Sequence, residues 1–280
     1  MKVFGFAGKK QSGKGTCANV IHGMVLKKIG AIKDWTISDK GQLLIQNKGQ
    51  MDDSWPVFDI TRRDPEFSEY AETTIWPYVK LYSFADTLKD ICIHMFGVPA
   101  ECVFGTDEQK NTKIEHLLWE NMPGVVTEVP PEVGNRGRSV SGRLGEYYKR
   151  TTEGLVFHPA GAMTAREFMQ FFGTDVMRKI WEPVWIADTM RRIVNDGSEI
   201  AIIADVRFPN EAEAIRNLPG NVLRLPRDIF TDGHASETSV DDIDESIFTR
   251  ILKDGSLLEL KKELELLFTP IVDELPIVEQ

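Results

Sequence analysis

The feature that most constrains the fold of this 280-residue chain is its opening, Met1-Lys-Val-Phe-Gly-Phe-Ala-Gly8-Lys-Lys-Gln-Ser-Gly13-Lys14-Gly15-Thr16. A short apolar run, Val3 to Ala7, leads into Gly8, and after four intervening residues come Gly13 and Lys14. Cys17, Val20, Ile21, Met24 and Val25 then recur at helical spacing. Strand, glycine-bounded loop and helix in that order form the context of a phosphate-binding P-loop. Gly8 and Gly13 let the backbone turn tightly and approach an anion. The amides from Gln11 and Ser12 through Gly15 and Thr16 then face a phosphate at a helix start, where the dipole also favours negative charge. Lys14 adds a point charge for β- and γ-phosphates.

The residue after the lysine departs from the usual motif. Ser or Thr at that place holds Mg²⁺; here it is Gly15, and the hydroxyl follows at Thr16. A Gly-Lys-Gly-Thr ending resembles the nucleoside monophosphate kinases rather than GTPases or motor ATPases. The expected metal contacts are Thr16 and Asp205, the latter directly or through water, because Mg²⁺ keeps several waters in its shell.

The formal net charge is −10. That argues against a general nucleic-acid binder, which needs a basic field. No apolar run approaches the roughly 18 residues of a membrane span. Cys17, Cys92 and Cys102 form no paired framework and read as buried thiols in a reducing compartment. With no signal-peptide pattern, the expectation is a cytoplasmic protein without membrane or nucleic-acid partners. The five histidines have no metal spacing, and Asn47-Lys48-Gly49-Gln50 lacks the Asp of a guanine-reading motif.

Apolar periodicity predicts a first helix over 15–29, a strand over 78–84 and a helix over 85–96. A helix over 164–172 is predicted with Thr164 and Glu167 as a capping box and Gly173 as its stop. Another helix follows over 183–195. Glu199 to Ala204 is a continuous apolar run of the kind found in buried parallel strands. A helix over 210–217, strands over 221–225 and 247–252, and a last helix over 257–268 complete the pattern. Strands alternating with helices after a P-loop imply one α/β domain over 1–280, a doubly wound parallel sheet of P-loop NTPase type. Residues 32–78 read as an irregular insertion, an arm with a β-hairpin. Residues 123–158 are rich in Gly and Pro and carry Arg136, Arg138, Arg143, Lys149 and Arg150. They are either a solvated loop or a lid that brings arginines to a phosphoryl group and excludes water.

Ligands of open parallel sheets bind beyond the carboxyl ends of the strands. Besides the P-loop, two such ends carry telling residues: Ser83-Phe84-Ala85-Asp86-Thr87-Leu88-Lys89 and Ala204-Asp205-Val206-Arg207. Asp205 resembles a Walker B acid. The residue after it is Val206, where ATP-hydrolysing machines place a Glu to activate water. That suits a transferase whose nucleophile is already an anionic phosphate. Arg207 lies two residues on and would share a strand face with Asp205, either for phosphates or in a structural ion pair.

Taken in order, these segments resemble the phage-type deoxynucleoside monophosphate kinases. The resemblance rests on Gly8–Thr16, Ser83–Lys89, Gly105-Thr-Asp-Glu-Gln-Lys-Asn111, Arg166-Glu-Phe-Met-Gln-Phe-Phe-Gly-Thr-Asp175, Trp185, Asp205–Glu211 and Asp254-Gly-Ser-Leu-Leu-Glu-Leu. It implies phosphoryl transfer from ATP, with Mg²⁺, to a deoxynucleoside monophosphate. It implies catalytic roles for Lys14, Arg166, Asp205 and Arg207. It implies an acceptor pocket of Lys10, Asp86, Leu88, Lys89, Gln170, Gly173, Thr174, Trp185, Asp205 and Arg207, with Trp185 as a surface on which a base can stack. It also implies a homodimer, in the host cytoplasm for a phage-encoded chain. Two other readings accompany it: a kinase like the animal phosphomevalonate kinases, and a non-enzymatic ATP-binding switch.

Overall fold

The computed structural model describes residues 1–9, 11–49, 53–123, 125–126, 146–151, 154–159, 161–227 and 239–276. The chain divides into two compact units, one of residues 1–84 with 186–280 and one of residues 85–185.

The first unit opens with β1 (Lys2–Ala7) and α1 (Lys14–Lys28). A hairpin follows, β2 (Asp34–Ile37) and β3 (Leu43–Gln46), with Trp35 opposite Ile45 and Ile37 opposite Leu43. Trp35, Leu43 and Ile45 are buried in the same core as Val20, Ile21 and Val25 of α1. The predicted arm is therefore a packed layer of the unit, because one face of its hairpin is apolar. A single antiparallel bridge joins Leu44 of this hairpin to Val57. Next comes α2 (Pro65–Thr74), which sequence periodicity missed. Asp64 caps it by accepting from the Phe67 amide at 3.0 Å, and Pro65 presets the first turn. Phe67, Ala71 and Ile75, four apart, anchor it in the core. The predicted strand over 78–84 is β4 (Val79–Tyr82).

The second unit follows with α3 (Asp86–His94), α4 (Ala100–Phe104), α5 (Asp107–Lys110) and β5 (Lys113–Leu118). β6 (Val125–Val126), β7 (Glu146–Thr151) and β8 (Gly154–Pro159) form an antiparallel three-stranded sheet. The segment 123–158 thus contains regular strands where the sequence suggested only turns. Arg136, Arg138 and Arg143 lie outside the described residues. β9 (Ala162–Thr164) pairs antiparallel with β5, then α6 (Ala165–Gln170) begins. Its capping box is as predicted: Thr164 Oγ1 accepts from the Glu167 amide at 3.1 Å, and the Thr164 amide donates back to Glu167 at 2.7 Å. Gly173 does not end this helix. The backbone widens into a π-helical stretch, Phe171–Met177, and continues as α7 (Arg178–Ile180). This unit's own core gathers Cys92, Cys102, Ile114, Trp119, Met163, Phe168 and Phe171.

The chain then returns to the first unit through α8 (Val184–Asp196), β10 (Ile200–Val206), α9 (Pro209–Asn217), β11 (Asn221–Arg224), β12 (Arg250–Ile251) and α10 (Leu257–Asp273). Strands of this unit form a five-stranded, wholly parallel sheet in the order β12-β11-β1-β10-β4. Strand alternation splits its side chains between two cores. Phe4, Phe6, Ile200, Ile202 and Leu223 pack with α1 and with Leu260, Leu264, Phe268 and Val272 of α10. Val3, Ala7, Ala201, Ile203 and Val222 pack with Ile193 of α8 and with Ala212 and Ile215 of α9. Helices on both faces make the sheet doubly wound, as the alternating pattern predicts. The last strand is shorter than predicted because Asp244 caps a 3₁₀ turn over Glu245–Ile247, accepting from the Ser246 amide at 2.8 Å.

Candidate active site

The loop from Gly8 to Gly13 stands at the carboxyl end of β1, the centre of the parallel sheet. Gly13, immediately before α1, has a φ of 103°, which an L side chain rarely adopts, and Gln11 is left-handed at 62°. A Cβ on Gly8 would lie 2.5 Å from Ser12 Oγ, so the loop closes tightly only with glycine there. Lys14 and Ser12 are buried. The Lys14 ammonium donates to the carbonyls of Gly8 and Lys9, the second at 2.6 Å, and reaches Ser12 Oγ at 3.5 Å. The charge is thus folded back onto the loop's own oxygens, a ring of contacts that sequence spacing did not reveal. Lys10, expected on the acceptor side, lies outside the described residues.

Gly15 and Thr16 part company. A Cβ on Gly15 would meet nothing within 4 Å. Thr16 is buried, and its hydroxyl is lodged against the turn between β2 and β3: a Cβ on Gly41 would lie 2.2 Å from Thr16 Oγ1. Asn19 of α1 donates to the Gly41 carbonyl at 2.8 Å, pinning the same turn. This geometry makes Thr16 a packing contact of the hairpin. Gly41 also has a φ of 76°. Gly41→Ala is therefore expected to cost about 1–3 kcal/mol through backbone strain and the lost fit to Thr16. Thermal unfolding would check this; an unchanged midpoint would show that the turn does not brace α1. An open cleft of about 260 Å³ beside this region is lined by Gly15, Asn19, Gln42, Phe58, Asp59 and Thr61, among others.

Asp205 is half-buried at the end of β10, next to β1 in the sheet. Its carboxylate accepts from Ser83 Oγ at 2.5 Å and from the Phe84 amide at 3.3 Å, so the end of β4 orients it. Ser83 was not singled out by sequence reasoning, although the Ser-Phe-Ala-Asp segment contains it. Val206 is fully buried, which leaves no carboxylate at the position that would activate water. Arg207 lies beyond the strand, so strand alternation does not set its direction. Its amide donates to the buried carboxylate of Glu211 at 2.8 Å, and the Phe208 amide does so at 3.1 Å. Glu211 thereby fixes the turn from β10 into α9. Asp241, also unforeseen, holds Lys9 Nζ and an Arg224 guanidinium nitrogen at 3.0 Å each. Among the described residues, no three His, Cys, Asp or Glu side chains form a metal cage. Cys17, just past the loop, is fully buried, and burial pushes its thiol far above the ordinary range, so it is inert rather than a redox handle.

The remaining predicted residues lie in the second unit. Asp86 is buried in the first turn of α3. Lys89 sits with its ammonium 4.9 Å from the centre of the Phe104 ring, a cation–π contact. Leu88 packs on Gly173, where a Cβ would come within 2.8 Å of it. Trp185 is only 5% exposed and donates its indole N–H to the Gly173 carbonyl at 3.1 Å. It braces the π-helical stretch through that bond. Gln170 and Thr174, on either side of Gly173, are exposed. Arg166 is partly exposed and donates to Asp107 at 2.6 Å. A π-helical segment flanked by exposed polar residues is a frequent mark of a functional site.

Comparison with known proteins agrees with this reading. A sequence model described as deoxynucleotide monophosphate kinase matches residues 143–264. A protein of Acanthamoeba polyphaga mimivirus, provisionally named a deoxynucleotide monophosphate kinase, is 24% identical over 175 residues, covering 56% of this chain and 67% of that protein. The deoxynucleoside-5'-monophosphate kinase of Escherichia phage T5 is 36% identical over 55 residues, 19% of this chain and 22% of the phage enzyme. The residues matched by the family model include Arg166, Asp205 and Arg207.

Proposed function

We infer that this chain is a phosphotransferase of the phage type, a deoxynucleoside monophosphate kinase. The observation that carries the inference is the phosphate cradle of Gly8–Lys14 at the end of β1, beside Asp205 on β10, with Val206 buried where a hydrolase needs a base. The acceptor phosphate is itself the nucleophile, so catalysis rests on positioning and charge neutralisation and needs no strong base. The names of the matched family and of both viral relatives support the same activity. Neither the phosphomevalonate kinase reading nor the non-enzymatic switch finds comparable support.

The finer assignments are ours. ATP is the donor, held by the amides of Gln11 to Thr16 and by Lys14. Thr16 and Asp205, the latter directly or through water and already oriented by Ser83, are the proposed contacts of Mg²⁺. The metal, when bound, neutralises charge on the donor phosphates. Lys10, Lys89, Arg166 and Arg207 take the phosphate side of the acceptor. Asp86, Leu88, Gln170, Gly173 and Thr174 form the rest of its surroundings, and Trp185 acts by holding Gly173. We also propose one kinase domain over residues 1–280, in which the segment 123–158 is either a lid or a loop. Among the described residues no helix is long and apolar enough to cross a membrane. A homodimer in the host cytoplasm, without nucleic-acid or membrane partners, is the working assembly we propose.

A coupled ADP-release assay tests the central claim. With ATP and Mg²⁺, each deoxynucleoside monophosphate is offered in turn, beside ribonucleotides and phosphomevalonate. Release is expected with at least two deoxynucleotides, dGMP and dTMP foremost, and to be slow without acceptor. Fast release without acceptor, or stimulation by phosphomevalonate alone, would overturn the assignment.

A further inference from the structure

We propose that the cleft beside Gly15 holds the base of the acceptor nucleotide, and that Asp59 there selects bases whose edge carries N–H donors, guanine above thymine. The proposal rests on the kinase reading and deepens it. Neither the cleft nor Asp59 has a role in the assignments made so far.

The first observation is Gly15 itself. It is the second residue of α1, exposed, and its φ is outside the left-handed region. A Cβ there would meet nothing within 4 Å. Neither dihedral strain nor packing inside the protein therefore requires glycine, which is a poor helix former. Gly23 of the same helix differs: a Cβ on it would lie 2.5 Å from Trp35. What remains for Gly15 is close approach of a ligand to the backbone, and Gly15 lines the cleft. The residue before it is Lys14 of the phosphate loop, so the cleft begins where the loop ends. It also adjoins the strand that serves Asp205. Leu81 of β4 lines it and lies opposite Ile202 of β10, and Ser83, two residues on, holds Asp205.

The lining decides which part of a nucleotide fits. The cleft measures about 260 Å³. Pockets that enclose a whole small ligand run to about 300–1,000 Å³, so this one suits a part, such as a base. Phe58 and Leu81 give it an apolar, partly aromatic lining on which a planar ring can lie. Asp59 sets the polarity. Its Oδ1 accepts from the Thr61 amide at 2.8 Å and from Thr61 Oγ1 at 2.6 Å, which fixes the carboxylate. Among the described residues its Oδ2 receives no hydrogen bond, because the nearby Arg62 guanidinium is engaged by Asp64 at 2.8 and 2.9 Å. Asn19 spends its N–H on the Gly41 carbonyl at 2.8 Å and so keeps Oδ1 as a second acceptor. An ionised carboxylate only accepts, and it repels phosphate. The cleft therefore favours the uncharged, N–H-bearing end of a nucleotide. Guanine offers two adjacent donors, N1–H and the N2 amine. Thymine offers one, N3–H, between two carbonyl oxygens that the carboxylate disfavours.

The test compares Asp59→Asn, Gln42→Trp and Gly15→Ala with the unmodified protein. KM and kcat for dGMP and dTMP, ATP affinity without acceptor, deoxyguanosine binding and a thermal midpoint are measured for each. The unmodified protein is expected to prefer dGMP to dTMP. Asp59→Asn keeps an oxygen for Thr61 and presents an amide donor in place of Oδ2. It should lower the dGMP-to-dTMP ratio of kcat/KM about tenfold, through KM, and weaken deoxyguanosine to a similar extent. Gln42→Trp fills the cleft from its exposed rim and should raise both KM values about tenfold. Both variants should leave ATP affinity and the midpoint essentially unmoved. Gly15→Ala should raise both KM values while the midpoint holds or rises, a combination that a packing role for Gly15 does not give. A preference for dTMP, an unchanged ratio in Asp59→Asn, or unchanged KM values in Gln42→Trp would each overturn the proposal. So would a loss confined to ATP, which would put the donor's adenine in the cleft. If the unmodified protein phosphorylates deoxynucleotides and the variants behave in one of these ways, the cleft assignment alone falls. If it neither binds nor phosphorylates any deoxynucleoside monophosphate, the kinase reading falls with it.

Discussion

Lys14→Ala is expected to lower kcat by about a hundredfold or more, equivalent to about 3 kcal/mol of lost transition-state stabilisation. Its charge is buried and anchored on α1 within the sequence Gly8–Gly15. That ammonium donates to the carbonyls of Gly8 and Lys9. In the proposed mechanism ATP moves it from loop oxygens to phosphate oxygens, an exchange of neutral acceptors for charged ones that favours the phosphates. The same contacts mean that alanine also removes hydrogen bonds that shape the loop. A loss of stability of about 1–2 kcal/mol accompanies the kinetic effect. Lys14→Arg separates the two, because it keeps the charge but not the compact reach. Turnover and thermal midpoint measured on the same samples check the prediction. A folded Lys14→Ala protein with near-normal turnover would remove the P-loop from the mechanism.

The second large effect is on acid stability. His22 lies on α1, buried, with Nδ1 2.8 Å from the Ala18 carbonyl. A neutral ring with its proton on Nδ1 satisfies that carbonyl. Burial disfavours the imidazolium and lowers the pKa from 6.5 to about 4, the contact with Ala18 opposing it. Between these values the unfolded chain binds a proton that the folded chain does not. Stability therefore falls as the pH drops from about 6.5 towards 4, by about 3 kcal/mol in total. Above pH 6.5 the group contributes no slope. The acids with depressed pKa act lower: Asp64, held near 2 by Arg62 and its cap on α2, loses its contribution as the pH falls below 3.8. Within the window from 6.5 to 4, the difference in slope between the unmodified protein and His22→Asn reports on His22. Urea unfolding of the unmodified protein and of His22→Asn across that range checks the assignment. Equal pH slopes in the two proteins would show that the histidine is not the titrating group. Because α1 carries the phosphate loop at its start, ATP affinity should decline over the same window.

How the chain resolves into these sites divides along physical lines. The strand–glycine loop–helix opening was legible because its constraints are local: a strand buried on both faces, glycines where φ or close approach demands them, and a helix at once. The parallel sheet was legible for a similar reason, since Val3–Ala7 and Glu199–Ala204 are continuous apolar runs that only a doubly covered strand can bury. The Thr164–Glu167 capping box is likewise confined to four neighbours. What lay beyond reach depended on residues far apart in sequence. The hydroxyl of Thr16 packs on Gly41, twenty-five residues on, because an apolar hairpin face brings that turn onto α1. The indole N–H of Trp185 meets Gly173, twelve residues before it. Asp205 is oriented by Ser83, just past β4 and far away in sequence. A residue type and its spacing determine what a side chain is able to do; only the packing of distant elements decides which of its partners it meets, because burial and hydrogen bonding are satisfied in space and not along the chain.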